Sequence, residues 1–247
     1  MNVLVVVPTY NEKMNITAML EQVRSTCPDA LPILVVDDGS PDGTADIAQA
    51  DADRLGSISL LRRTGKSGLG SAYRAGFAWG IERGFDALVE IDADFSHDPT
   101  ALPSLLDAAN QGSDVVIGSR YVAGGTIPDW SWHRKLLSRG GNLYASFMLH
   151  LRVKDSTAGY RVYRASALED IDYQTVQADG YGFQIEMTYR SRLAGLRITE
   201  VPIAFVDRER GESKMSSSII IEALGLVTKW GFQRLLGRSW KPSAIAR

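Results

Sequence analysis

Cysteine occurs once, as Cys27, and histidine three times, as His97, His133 and His150. A lone thiol excludes a disulfide within the chain and a cysteine-based zinc site. The histidines lack the spacing of a zinc protease. The scarcity of cysteine fits a reducing compartment. Long apolar runs are missing too. No stretch reaches the ~18 apolar residues that read as a membrane span. The nearest, 136–151 and 219–232, are broken by Arg139 and His150 and by Glu222 and Lys229. The first run, Val3 to Val7, ends at Pro8 and has no basic residue before it. It is too short for a signal-peptide core and reads as a buried strand. Charge of one sign is also absent, since 27 Lys and Arg face 29 Asp and Glu. No nucleic-acid partner is expected, and any anion site must be local.

What remains is an ordinary globular composition, 45% hydrophobic and 23% charged over 247 residues, enough for a sizeable core. Short β-branched runs alternate with helical periodicity. Strands are expected at Val3–Val7, Ile33–Val36, Ile58–Leu61, Ala87–Ile91 and Val115–Ile117. Helices are expected from Ile16, from Ser40-Pro41 with Ser40 as cap, from the Gly65–Gly70 loop to about Arg83, and from Asp98-Pro99. This rhythm predicts an α/β fold, a doubly wound and mostly parallel sheet that binds ligands at the carboxyl ends of its strands. After residue 121 the rhythm changes. A helix over about 131–151, a strand near 158–163, a helix near 181–193, a strand near 198–206 and a last helix over 216–236 follow. The expected organisation is one domain over 1–215, with halves of about 1–121 and 122–215. An amphipathic C-terminal helix and tail over 216–247 form an extension.

The acids fall at strand ends. Glu12 follows the first strand, Asp37 and Asp38 end the second, and Asp92-Ala93-Asp94 ends the fourth. In a parallel sheet these places share one edge, where crowded carboxylates need donors or a cation. Strand periodicity would put Asp92 and Asp94 on one side, suited to a hard divalent ion that offsets the charge of a nucleotide diphosphate. A lone Asp-x-Asp is more often a solvated cap; the company of Glu12 and Asp38 reverses those odds. Asp38 can accept hydrogen bonds from a base or a ribose, Tyr10 offers an aromatic face, and Pro8 and Val36 present backbone groups. Asp37 is the one expected to be structural.

Cations follow in the second half: Arg120 after the fifth strand, His133, Arg134 and Ser138 on the long helix, and Arg208, Arg210 and Lys214 in one loop. Each alone is most simply a surface charge, but clusters after loop-like breaks suit phosphate recognition. Gly65-Lys66-Ser67 fails as a P-loop because Leu60 holds the required glycine position. Tyr73 likewise breaks a dinucleotide fingerprint at Gly68.

Val-Pro-Thr-Tyr-Asn-Glu at 7–12, Val-Asp-Asp-Gly-Ser-Pro-Asp-Gly-Thr at 36–44 and Asp-Ala-Asp-Phe-Ser-His-Asp-Pro at 92–99 resemble the inverting family 2 glycosyltransferases of GT-A fold. With 118–121, 134–138, 157–161 and 208–214, the chain is similar to the polyprenol (dolichol) monophosphate mannose synthases within that family, over about 1–216. The resemblance implies transfer of mannose from GDP-mannose to a polyprenyl phosphate with a divalent ion, Mg2+ or Mn2+, on Asp94 and Asp92. It implies that Pro8, Tyr10, Glu12, Val36 and Asp38 hold the guanosine, and that Asp92, Ala93 and Asp94 meet diphosphate, sugar and metal. Arg120, Arg134 and Ser138 would hold the acceptor phosphate, and Arg208 and Lys214 would close over the donor; Asp92, Asp94, Arg120 and Lys214 are the implied catalytic set. Some relatives carry C-terminal transmembrane helices. With no span here, attachment is expected to be peripheral, on the cytoplasmic face of the membrane, through 216–236 or a membrane-protein partner. Two rivals stay open, a UDP-sugar transferase of the polyprenyl-phosphate glucose synthase type and a non-catalytic nucleotide-sugar binding module.

Overall fold

Strands whose every residue is apolar can be stable only if both faces of the sheet are covered. In a computed structural model, which describes residues 1–27, 31–207 and 217–241, that is the arrangement. Strand β1 (Val3–Thr9) is buried along its whole length, as are β2 (Ile33–Asp37), β4 (Ala87–Glu90) and β5 (Val115–Ser119). With β3 (Ile58–Arg62), β6 (Arg161–Arg164) and β7 (Ile198–Pro202) they form one sheet in the order β3-β2-β1-β4-β6-β5-β7. All pairings are parallel except those of β6, which runs antiparallel to both β4 and β5. The amino end of β6 therefore lies at the same edge as the carboxyl ends of its neighbours. Strands β2 and β3 lie on one side of β1 and β4 on the other, which is the switch point where such sheets bind ligands.

Helices pack on both faces. Helix α1 (Ile16–Thr26) buries Ile16, Met19, Leu20 and Val23, one stripe at helical spacing, against Val3, Val5 and Val7. On the opposite face α3 (Leu69–Glu82) covers Leu4 and Val6. Its glycines permit the close approach: a Cβ on Gly76 would collide with Val6 Cγ1, and one on Gly80 would come 2.5 Å from Leu88 Cδ2. Helices α5 (Trp132–Leu149), α7 (Gly180–Leu193) and α8 (Ser217–Leu235) join that face.

Several expectations are corrected. Helix α2 (Thr44–Leu55) starts after Gly43, so Ser40 and Pro41 belong to a turn, and Asp42 bonds the first helical N–H through Thr44 N at 3.0 Å. The helix expected to open at Asp98-Pro99 is found there: Asp98 caps a 3-10 turn, Pro99–Ala101, that leads into α4 (Leu102–Asn110). The short helix α6 (Ala165–Asp170) was not expected, because six residues are too few to show a period. In the last helix Val227 is buried and Trp230 packs beside it, so part of the amphipathic helix expected over 216–236 rests on the domain.

Gly76→Ala should lower stability by about 1–3 kcal/mol through overpacking against β1. A urea unfolding midpoint equal to that of the wild type would refute this account of α3.

Candidate active site

The sheet edge gathers the expected acids, but each is engaged differently. Thr9 Oγ1 donates to Asp37 Oδ2 at 2.9 Å, and Ser40 N and Oγ donate to the same carboxylate at 2.9 and 2.6 Å. Asp37 is thus absorbed in a turn that needs the left-handed Gly39 (φ +72). Its neighbour Asp38 accepts from Arg63 Nη1 at 2.7 Å and from Ser67 N at 3.1 Å, which ties the Gly65–Gly70 loop to β2. Glu12 is buried, with its backbone N–H donating to Thr44 Oγ1 at 2.9 Å and its Oε2 accepting from Asn15 Nδ2 at 2.9 Å. Lys66 Nζ sits 4.7 Å above the Tyr10 ring. Pro8 and Val36 are buried in the strands, Cα partners across β1 and β2, so only their backbone can face a ligand.

Asp92 and Asp94 do not owe their placement to strand periodicity. β4 ends at Glu90, and both acids lie in the turn beyond it. Phe95 takes a left-handed φ of +61°, uncommon for an aromatic residue and frequent at functional sites. The turn lets Asp94 Oδ1 accept from Ser96 N at 3.0 Å, with Asp94 buried. Asp92 Oδ1 accepts from the Tyr73 phenol at 3.0 Å, while its Oδ2 lies 3.8 Å from His97 Nδ1, too long for a hydrogen bond. Burial and the adjacent Asp92 raise the Tyr73 phenol well above its usual range, so it stays a donor. Burial pulls His97 down to about 4, leaving a neutral imidazole. Beneath them burial pushes Glu90 up to about 8, with Gln184 Nε2 donating to its Oε2 at 2.9 Å. Among the described residues no group of three or more His, Cys, Asp or Glu forms a ready metal cage. Two carboxylates from one turn suit instead a hard ion that takes its remaining oxygens from water and substrate phosphates.

On the other side of β6 stands Arg120. Its Nε and Nη2 donate to the two oxygens of Asp155, each at 2.7 Å, its backbone N–H to Asp155 Oδ2 at 3.0 Å, and Nη2 also to Thr157 Oγ1 at 2.7 Å. Both partners are buried. Burial alone would discharge either one; their mutual attraction outweighs it, raising the pKa of Arg120 and lowering that of Asp155. The Arg120 guanidinium lies 5.3–5.6 Å from the rings of Phe205, Tyr121 and Trp130. Arg134 stacks on one of these rings, 3.9 Å over Trp130, and is bridged to Asp207, which also accepts from Trp130 Nε1 at 2.8 Å. Ser138 Oγ accepts from the Tyr121 phenol at 2.7 Å. The three predicted acceptor residues therefore share one aromatic neighbourhood. His97 joins it to the acids, 5.4 Å from Phe205. Arg208, Arg210 and Lys214 lie outside the described residues. Sequence reasoning missed Asp155, Trp130, Asp207, Tyr73 and Arg63. Their partners lie 19 to 77 positions away, as with Tyr73 and Asp92 at 19, Arg63 and Asp38 at 25, and Trp130 and Asp207 at 77, and no local pattern marks them.

Acids at the ends of β1, β2 and β4 of a doubly wound sheet, with cations across the edge, define a glycosyltransferase of GT-A fold. The chain belongs to glycosyl transferase family 2, whose model matches residues 4–172. It is 50% identical to the polyprenol monophosphomannose synthase of Mycolicibacterium smegmatis over 96% of this chain and 89% of that protein. It is 52% identical to the undecaprenyl-phosphate mannosyltransferase of Micrococcus luteus over 94% of each. It is also 37% identical to the dolichol-phosphate mannosyltransferase of Pyrococcus furiosus, over 91% of this chain and 62% of that longer protein. Among solved structures, glucosyl-3-phosphoglycerate synthase from Mycobacterium tuberculosis shares the fold at 20% identity, with a TM-score of 0.64 over 98% of this chain and 82% of that one.

Asp155→Asn should destabilise the protein by about 3–5 kcal/mol, because it leaves the Arg120 charge buried without its counter-ion. Denaturant unfolding that shows less than about 1 kcal/mol of loss would mean that the pair is solvated rather than buried.

Proposed function

We propose that the chain transfers mannose from GDP-mannose to a polyprenyl phosphate, giving polyprenyl-phosphate mannose and GDP with inversion at the anomeric carbon. The observation that carries this reading is the division of one sheet edge into an acidic side, Glu12, Asp38, Asp92 and Asp94, and a cationic side, Arg120 and Arg134 with Ser138. A sugar nucleotide suits the first and a monophosphate the second. The names of relatives about half identical over nearly the whole chain supply the sugar and the lipid. Tyr10, Glu12 and Asp38, with the backbone of Pro8 and Val36, hold the nucleoside. Asp92, Ala93 and Asp94 meet the diphosphate and the sugar, and Arg208 and Lys214 are assigned to the donor phosphates.

An acceptor phosphate is ionised near neutral pH and needs positioning rather than a base. One of its oxygens attacks the anomeric carbon, the bond from that carbon to the GDP oxygen breaks, and GDP departs with the electron pair. Arg134 and Ser138 are the direct phosphate contacts. Arg134 is about half exposed, and its bridge to Asp207 is a surface pair that a phosphate can replace. Arg120 is matched by Asp155 and so contributes chiefly by fixing Tyr121 and Trp130. A divalent ion, Mg2+ or Mn2+, held by Asp94 and Asp92 would offset charge on the departing GDP.

The lipid substrate calls for a membrane surface, and no helix among the described residues is long and apolar enough to cross one. Helices α5 and α8 pack side by side, with Tyr144 and Thr228 hydroxyls 2.7 Å apart, and leave large apolar side chains in water. On α5 these include Trp132, Leu136, Leu143 and Phe147; on α8, Ile221, Phe232 and Leu235. Arg139, Lys229, Arg238 and Lys241 are exposed with them. An apolar face with basic residues suits an anionic leaflet, here assigned to the cytoplasmic side. The docking stripe therefore differs from the buried one around Val227. Residues 216–247 remain the proposed attachment segment, with 1–215 as the catalytic domain.

Turnover with GDP-mannose, UDP-glucose and UDP-GlcNAc tests the donor. GDP-mannose should be preferred, and Asp94→Asn or excess chelator should lower the rate at least about a hundredfold. Preference for a UDP-sugar would replace the donor reading, and absence of any turnover would favour a binding module. In sedimentation at low salt the protein should pellet with anionic liposomes, and Phe147→Glu with Phe232→Glu should abolish pelleting without altering GDP binding. A wild-type protein that ignores such liposomes would leave recruitment by a membrane protein as the better account.

A further inference from the structure

Buried polar atoms without a partner are rare and each costs about 1–3 kcal/mol. Among the described residues, Glu90 Oε1 is one such atom, and His97 Nδ1 and Gln184 Oε1 are two more, on side chains that meet near Asp92. Both side chains are almost fully buried, at 3% and 2% exposure. They come from different elements, His97 from the turn after β4 and Gln184 from α7, and meet at Gly159 just before β6. A Cβ placed on Gly159 would come 3.5 Å from His97 Cε1, 3.6 Å from Asp92 Oδ2 and 3.8 Å from Gln184 Nε2. Gly159 and Asp92, which these buried side chains adjoin, are both partly exposed, so the cluster lies directly beneath the edge.

The setting explains why these atoms lack protein partners. Gln184 is held through Nε2 by Glu90, which fixes its amide and turns Oε1 elsewhere. The His97 ring is wedged against Tyr160 and Phe205, at 5.5 and 5.4 Å, so it cannot swing to Asp92, 3.8 Å away. A neutral amide oxygen and an imidazole nitrogen are poor ligands for a phosphate. They match hydroxyl groups, which donate and accept at once. The place lies between the acids assigned to the diphosphate and the cations assigned to the acceptor. Along that line a donor must present its sugar.

We infer that His97, Gln184 and Gly159 form the subsite that reads the hydroxyl groups of the transferred hexose, and so determine sugar specificity in the reaction proposed above. Gly159 serves by having no side chain, which lets a ring lie against the backbone. His97 and Gln184 accept from or donate to its hydroxyls. A sugar lacking the matching hydroxyl leaves the same buried atoms unpaired, which is how such a site discriminates. The inference rests on the donor being a sugar nucleotide.

The test uses the full chain with its preferred donor, fixed first in the wild type, so that a failure of the donor reading appears before any variant is made. His97→Phe keeps the ring packing and removes Nδ1; His97→Asn restores a polar atom near that position; Gly159→Ala adds a methyl at ordinary contact distance. The kcat/KM for GDP-mannose should fall about tenfold or more in His97→Phe and in Gly159→Ala, with partial recovery in His97→Asn. The affinity for GDP should stay within about twofold, since the hexose assigned to these residues is absent from it. Deoxy-mannose donors should lose less in His97→Phe than GDP-mannose does. Equal loss of GDP and GDP-mannose binding, or no loss of either, would overturn the inference and leave these residues as parts of the core.

Discussion

The pairing of Arg120 with Asp155 is the contact on which the second half of the site hangs. It joins the end of β5 to the segment before β6 by four hydrogen bonds, three of them to one carboxylate. A charge pair out of water stabilises little by itself, because desolvation consumes most of the attraction. Its value here is geometric. With both ends fixed, Thr157 and Gly159 are delivered to the edge, and the rings of Tyr121, Trp130 and Phe205 gain a rigid plane to surround. Arg161 continues the same work one step further. It is fully buried and donates to the carbonyls of Ser156 and Ala158 at 2.8 and 2.7 Å, so the whole turn is clamped from both sides.

The antiparallel β6 is what makes that turn useful. A further parallel strand in its place would present a carboxyl end, like its neighbours. Running backwards, it presents its amino end instead, and the loop before it reaches the edge between β4 and β5. The acids and the cations of the edge thereby sit on two sides of one strand within a single sheet. Their separation needs no hinge between domains.

Much of the acidic side was legible in the sequence because strand ends are local. Val3–Thr9, Ile33–Asp37 and Ala87–Glu90 are short β-branched runs, and the acids follow them directly. The structural role of Asp37 was legible too, since Ser40 stands three residues on, as a turn requires. The strand-period argument for Asp92 and Asp94 failed because β4 ends at Glu90, a boundary that the apolar Ile91 next to it hides from hydrophobic patterning. The start of α2 was misplaced because Ser-Pro-Asp opens a turn as readily as a helix. On the other side of β6 the cations could be named but not their counter-ions. Asp155 lies 35 residues from Arg120 and Asp207 73 from Arg134, and only the fold brings them together.

The apolar side chains on α5 and α8 also bear on how the protein behaves in free solution. Exposed hydrophobic area costs about 25 cal/mol per Å2, and a contiguous patch can lower that cost by covering itself with a second copy. Self-association and the proposed lipid docking would then draw on the same side chains. Dilution and added bilayer would both favour single copies, whereas concentration in plain buffer would favour clusters with these helices hidden. The oligomeric state of such a molecule is a property of its surroundings as much as of its sequence.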